Sequence, residues 1–217
     1  KVYDVTEQND SSVTFVMNAP DGENGFPGNV TATATYTVTS ENTLDIIFKA
    51  TTDKETVINM TNHSYFNLNG NPSREGFNQI MYINADKFTP SDSQYIPTGE
   101  IKDVKGTPMD FRIPTEIGKK VDYTYDQIKN ATGYDHNWCL NTYKNGKGDD
   151  KTVAASLYSP QTGILLEVYT NEPGIQVYTG NFQGTGIACK HGIKYPKHAS
   201  VCFESQKYPD SPTKIAQ

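Results

Sequence analysis

One histidine and one glutamate, about 140 residues apart, carry the strongest case for chemistry in this chain. Residues 59–68 read Asn-Met-Thr-Asn-His-Ser-Tyr-Phe-Asn-Leu and place His63 between the Asn62 amide and the hydroxyls of Ser64 and Tyr65. An imidazole in such company can be held in one tautomer and can exchange a proton near neutral pH. A hydrogen-bonded structural histidine is the competing explanation. Far downstream, Val201-Cys202-Phe203-Glu204-Ser205-Gln206 alternates apolar and polar residues, so Glu204 shares a strand face with Cys202. If that face lines a cleft, burial raises the carboxyl pKa and tunes Glu204 toward base catalysis. A solvent-facing strand glutamate is the alternative.

Two further segments concentrate polar groups near turns. Gly133-Tyr134-Asp135-His136-Asn137-Trp138 holds a carboxylate, an imidazole, an amide and the single tryptophan, and residues 172–181 contain Gln176. Asp135 and His136 are adjacent, so on a strand they point to opposite faces and cannot act on one atom. Asn, Asp, Gln and Trp together suit a sugar, with planar polar groups for hydroxyls and an aromatic face for the C–H side of the ring. The sequence shows no zinc-protease, calcium-loop or nucleophile-elbow pattern and no glycine-rich phosphate loop, so no metal site or cofactor is expected.

The elements that must position these residues read as strands. Residues 29–39 alternate Val30, Ala32, Ala34, Tyr36 and Val38 against threonines, a half-buried strand. Leu44, Ile46 and Phe48 begin its partner after a Ser-Glu-Asn turn, and Val13, Phe15 and Met17 form a shorter alternation ahead of it. Residues 153–158 and 164–170 flank a five-residue loop as a hairpin. The best helical candidate, around Tyr123 to Lys129, amounts to one or two turns. Short strands punctuated by Gly, Pro, Asn and Asp predict an all-β sandwich or barrel. With no repeat or linker, residues 1–217 are expected to form a single domain.

Composition narrows the partners. A net charge of -6 disfavours nucleic acid and a basic membrane-surface helix. No apolar run approaches the roughly 20 residues needed to span a bilayer, so no membrane partner is expected. Cys139, Cys189 and Cys202 form neither a disulfide framework nor a zinc pattern, although one pair could bridge. Five N-x-Ser/Thr acceptors, at Asn9, Asn29, Asn59, Asn62 and Asn130, hint at secretion. A glycan on Asn62 would block any site that His63 serves. The chain opens at Lys1 rather than Met, which points to processing, excision or truncation.

Taken in order, several segments resemble the galactose mutarotases (aldose 1-epimerases). Residues 61–68 resemble that family's most characteristic motif. Residues 20–29, 96–101, 106–112, 133–137, 172–181 and 204–212 are similar to further family segments, so the resemblance runs through the whole chain. It implies a large antiparallel β-sandwich, a galactose mutarotase-like supersandwich, with an open sugar cleft. It also implies cofactor-free interconversion of the α and β anomers of free aldohexoses such as galactose and glucose. In that reading His63 is the general acid and Glu204 the general base. Asp135 and Gln176 bind sugar hydroxyls, and Ser64 and Tyr65 form the shell around His63. The partner would be a monosaccharide, and the resemblance implies a cytoplasmic location.

Family members extend beyond the points corresponding to Lys1 and Gln217. The preceding part carries an arginine and a second histidine that contact the sugar, so the chain is expected to lack portions of the family fold and to show weak activity on its own. Other readings are a non-catalytic sugar-binding or sensing homologue, a mutarotase domain of a fused sugar-metabolic enzyme, an epimerase of phosphorylated hexoses, and a purely structural sandwich module.

Overall fold

A computed structural model describes residues 2–70, 75–184 and 186–213. The backbone groups into two compact units, Lys1–Met60 and Thr61–Gln217. Antiparallel sheet dominates both, and the all-β expectation holds.

The first unit is one four-stranded meander, ordered β1-β2-β3-β4. Its strands are β1 (Asp4–Gln8), β2 (Ser12–Ala19), β3 (Val30–Val38) and β4 (Leu44–Thr52). The alternation in the sequence sets the register. Thr35 faces Thr14 and Ala34 faces Phe15 and Phe48, so polar and apolar side chains sort to opposite faces. The polar face carries cross-strand hydrogen bonds, Ser12–Thr37 at 3.0 Å, Thr14–Thr35 at 2.9 Å and Thr31 to Asn18 at 2.8 Å. On the apolar face Phe15 and Tyr36 meet edge to face at 6.1 Å.

The second unit is a sandwich of two sheets. Its strands are β5 (Ile80–Ile83), β6 (Lys87–Thr89), β7 (Lys102–Asp103), β8 (Thr115–Glu116), β9 (Asp135–Cys139), β10 (Tyr143–Lys144), β11 (Lys147–Gly148), β12 (Ala155–Tyr158), β13 (Leu165–Val168), β14 (Gly174–Tyr178) and β15 (Cys202–Gln206). One sheet is ordered β13-β12-β5-β8 and the other β15-β14-β9-β6-β7, while β10 and β11 form a separate hairpin. Their facing side chains make one buried cluster. Met81, Ile83, Ala155 and Leu157 come from the first sheet, and Phe88, Trp138, Ile175, Val177 and Phe203 from the second. The hairpin expected at 153–170 is the β12–β13 pair. Among the described residues α-helix is limited to α1 (Ile117–Lys120) and α2 (Asp126–Ala131), the latter close to the expected short helix. All three cysteines are free. Among the described residues no helix is long and apolar enough to cross a membrane.

The outer face of the five-stranded sheet carries the polar residues singled out above. Antiparallel pairing sets Asn137, Gln176 and Glu204 in one row across β9, β14 and β15, and Asp135, Tyr178 and Cys202 in the next. Gly174 opens the β14 end of this face. A Cβ there would sit 2.3 Å from Asn137 Oδ1 and 2.9 Å from the Tyr208 ring. Gly174→Ala is therefore expected to lower stability by about 1–3 kcal/mol, because the buried Asn137 amide and the Tyr208 ring must both shift. A chemical-denaturation midpoint equal to the parent's would refute that packing.

Candidate active site

The local constraint that builds the site is a single antiparallel bridge. Phe66 N–H donates to Val201 O, and Val201 N–H donates to Phe66 O, both at 2.9 Å. His63 lies three residues before Phe66 and Glu204 three residues after Val201. The bridge brings the two segments alongside each other, and an Asx turn rather than a continued ladder presents His63. His63 Nε2 accordingly lies 3.4 Å from Glu204 Oε1, within ion-pair range. Flanking contacts hold the segment to the sheet. Asn67 Nδ2 donates to Ala199 O at 2.7 Å, and Leu68 N–H donates to Gln79 Oε1 at 2.8 Å. Before the bridge, Ser64 N–H donates to Asn62 Oδ1 at 3.1 Å, an Asx turn with His63 at its apex.

A cavity of about 420 Å³ opens over this pair, lined by His63, Tyr65, Asp135, Gln176, Tyr178, Phe182, Glu204, Gln206 and Pro209. The sequence-derived site residues His63, Glu204, Asp135, Gln176 and Tyr65 are thus brought together. Ser64 is not in the lining. Its contribution is the backbone turn beside His63. Gln176 Nε2 donates to Asp135 Oδ1 at 2.8 Å, tying the two hydroxyl-binding candidates to each other.

Trp138 departs from expectation. The sequence suggested its ring as the aromatic face of a sugar site, but it is fully buried between the sheets, with the indole N–H donating to Met109 O at 3.0 Å. Strand parity explains this, since Trp138 points inward while Asp135 and Asn137 point outward. The aromatic walls are Tyr65, Tyr178 and Phe182. The His63 ring centroid lies 5.0 Å from that of Tyr65 and 5.9 Å from that of Tyr178, and Tyr178 stacks on Phe182. Tyr178 and Gln206 were legible in principle, being two residues beyond Gln176 and Glu204 on the same strand faces. Phe182 and Pro209 lie in loops, where no period marks them.

The electrostatics follow from burial. Glu204 is only 9% exposed, and burial pushes its carboxyl up to about 7. A positive charge on His63 pulls the other way, and the Asp135 charge adds to the rise. Asp135 is likewise raised by burial, against the donation from Gln176 and the influence of His63. Of the two neighbouring carboxyls, Glu204 is the one raised far enough to hold or release a proton near neutrality. His136, on the inner face, is pushed down to about 4 by burial, and its Nδ1 accepts the Asp135 N–H at 3.1 Å. It is therefore a neutral structural imidazole. Among the described residues no group of three or more His, Cys, Asp or Glu is arranged to hold a metal ion.

The aldose 1-epimerase family profile matches residues 1–217. A galactose mutarotase from Bos taurus is 40% identical over 201 residues, 93% of this chain and 56% of the relative. An aldose 1-epimerase from Escherichia coli K12 is 40% identical over 210 residues, 97% of this chain and 59% of the relative. The chain thus spans somewhat over half the length of these relatives. Among solved structures, a Caenorhabditis elegans (C. elegans) aldose epimerase homologue superposes with a TM-score of 0.80 at 28% identity, covering 97% of this chain and 60% of the other. A galactose 1-epimerase from Lactobacillus acidophilus gives 0.79 at 30% identity, covering 96% and 59%. The chain belongs to the aldose 1-epimerase family.

Proposed function

We propose that this protein interconverts the α and β anomers of free aldohexoses, galactose and glucose among them, by acid–base opening and closing of the ring. The observation that carries the proposal is the 3.4 Å approach of His63 Nε2 to the buried Glu204 carboxylate in a polar cavity. Glu204 takes the proton of the anomeric hydroxyl while protonated His63 donates to the ring oxygen, breaking the C1–O5 bond. The aldehyde rotates about C1–C2, and the reverse transfers close the ring on its other face. Both oxygens are bonded to C1, so an acid and a base side by side can address them together when the sugar seats above the pair. A carboxyl with a pKa near 7 suits both halves of the cycle, because the group must take a proton and return it. Asp135 and Gln176 orient the sugar through its hydroxyls, and Tyr65 and Tyr178 wall the site. Family membership through residues 1–217 supports treating both compact units as parts of one mutarotase-type domain.

Polarimetry of freshly dissolved α-D-glucose or α-D-galactose tests the activity in the full-length protein. Rotation is expected to relax faster than in buffer, and relaxation at the blank rate would remove the enzymatic reading in favour of a sugar-binding homologue. Glu204→Gln is expected to lower kcat by about 10²- to 10⁴-fold, the usual worth of a positioned proton transfer, while retaining sugar binding. A variant turning over at the parent rate would show that the base lies elsewhere.

The same substitution is expected to stabilise the fold in a pH-dependent way. The folded carboxyl, near 7, lies above its unfolded value of 4.5, so the native state binds more protons between these values. Stability then falls as pH rises through that window and levels off above it. Glu204→Gln removes this cost, with an expected gain on the order of 3 kcal/mol at pH 8 that vanishes below about pH 4.5. Urea denaturation at both pH values measures it, and a gain equal at both would contradict the burial argument.

A further inference from the structure

Gln206 points at the site from the same face of β15 as Glu204, two residues on, and lines the cavity. Its cross-strand neighbour on β14 is Gly174, which has no side chain to meet it, so its contact on that strand is the diagonal one. Gln206 Nε2 lies 3.5 Å from Gln176 Oε1, while Gln176 Nε2 donates to Asp135 Oδ1 at 2.8 Å. A primary amide has one accepting and one donating end, and these two contacts engage opposite ends of the Gln176 amide. Turned over, that amide would set its oxygen against the acceptor-only Asp135 carboxylate, so Asp135 decides which way Gln176 faces while Gln206 holds the Gln176 carbonyl end in place.

We infer that Gln206 is a positioning residue whose amide holds the carbonyl end of Gln176 in place, so that the Gln206–Gln176–Asp135 relay holds the Asp135 carboxylate ready to accept a sugar hydroxyl. The contact at 3.5 Å is long, and its effect is positional rather than a large contribution to stability. The kinetic part of the inference rests on the mutarotase reading. The structural part does not.

The test is Gln206→Met, which keeps length and adds no charge but cannot donate. Residue 206 pairs with Gly174 through the backbone, so the strand survives the change. The groups facing Asp135 are His63 and Tyr65 from the bridged segment, Tyr178 from β14, and Cys202 and Glu204 from β15, and the variant retains them all. Carbon-13 NMR of the Asp135 carboxyl is expected to show its titration midpoint moved upward by about 0.5 unit, a threefold change in protonation constant, as the directed donation from Gln176 weakens. The Gln176 side-chain amide protons are expected to shift with it. In an active protein KM should rise about three- to tenfold with kcat within about twofold, the pattern of lost binding rather than lost proton transfer.

An Asp135 midpoint and Gln176 amide resonances unchanged from the parent would overturn the relay. If the midpoint moves but the parent does not catalyse anomerisation, the relay stands and the mutarotase reading falls. If the parent is active and the midpoint is still, the reverse holds.

Discussion

The reciprocal backbone hydrogen bonds between Phe66 and Val201 are the contact on which the site depends. They join a segment with no strand of its own to the residue preceding β15. Because antiparallel register is discrete, a slip of one residue would send the neighbouring side chains to the wrong face. With the bridge in place, the His63 segment lies beside the start of β15 and His63 Nε2 comes within 3.4 Å of Glu204 Oε1. Asn67 and Gln79 reinforce the dock by accommodating backbone groups that would otherwise lack partners on this irregular stretch.

The sheet beneath supplies the rest by parity. Asp135, Asn137, Gln176, Tyr178, Glu204 and Gln206 occupy alternate positions on three adjacent strands, so their side chains share one face while Trp138, Ile175, Val177 and Phe203 fill the other. The packed inner face makes the strands a rigid base, and the aromatic residues Tyr65, Tyr178 and Phe182 fence the outer one. Concentrating two carboxyls behind such a fence raises both pKa values, as seen for Glu204 and Asp135. The raised values are a cost to folding that the proposed proton exchange puts to use.

Local residue patterns made much of this visible beforehand. Strand alternation anticipated β2, β3, β4 and the β12–β13 hairpin, because a half-buried strand writes its two faces into the chain with period two. The same parity correctly separated Asp135 from His136. Parity equally puts Trp138 with His136 on the inner face, where its ring packs in the core rather than forming the sugar platform that its polar neighbours suggest. The family resemblance implies a place for Ser64 in the shell around His63, and in the structure its backbone N–H closes the turn there. The strand pattern also places Gln206 on the face of Glu204, two residues on.

By itself the sequence determined which residue types could carry chemistry, which strand faces they share, and the family to which the chain is similar, since these are properties of neighbouring residues and ordered motifs. Tertiary structure alone decided that His63 comes within 3.4 Å of Glu204, that Glu204 is buried enough to titrate near 7, and that Gln176 points its amide nitrogen at Asp135. Each of these depends on strands distant in sequence meeting in one register. No local pattern encodes such a meeting. It is set by the packing of two sheets around a shared core and by one bridge at their margin.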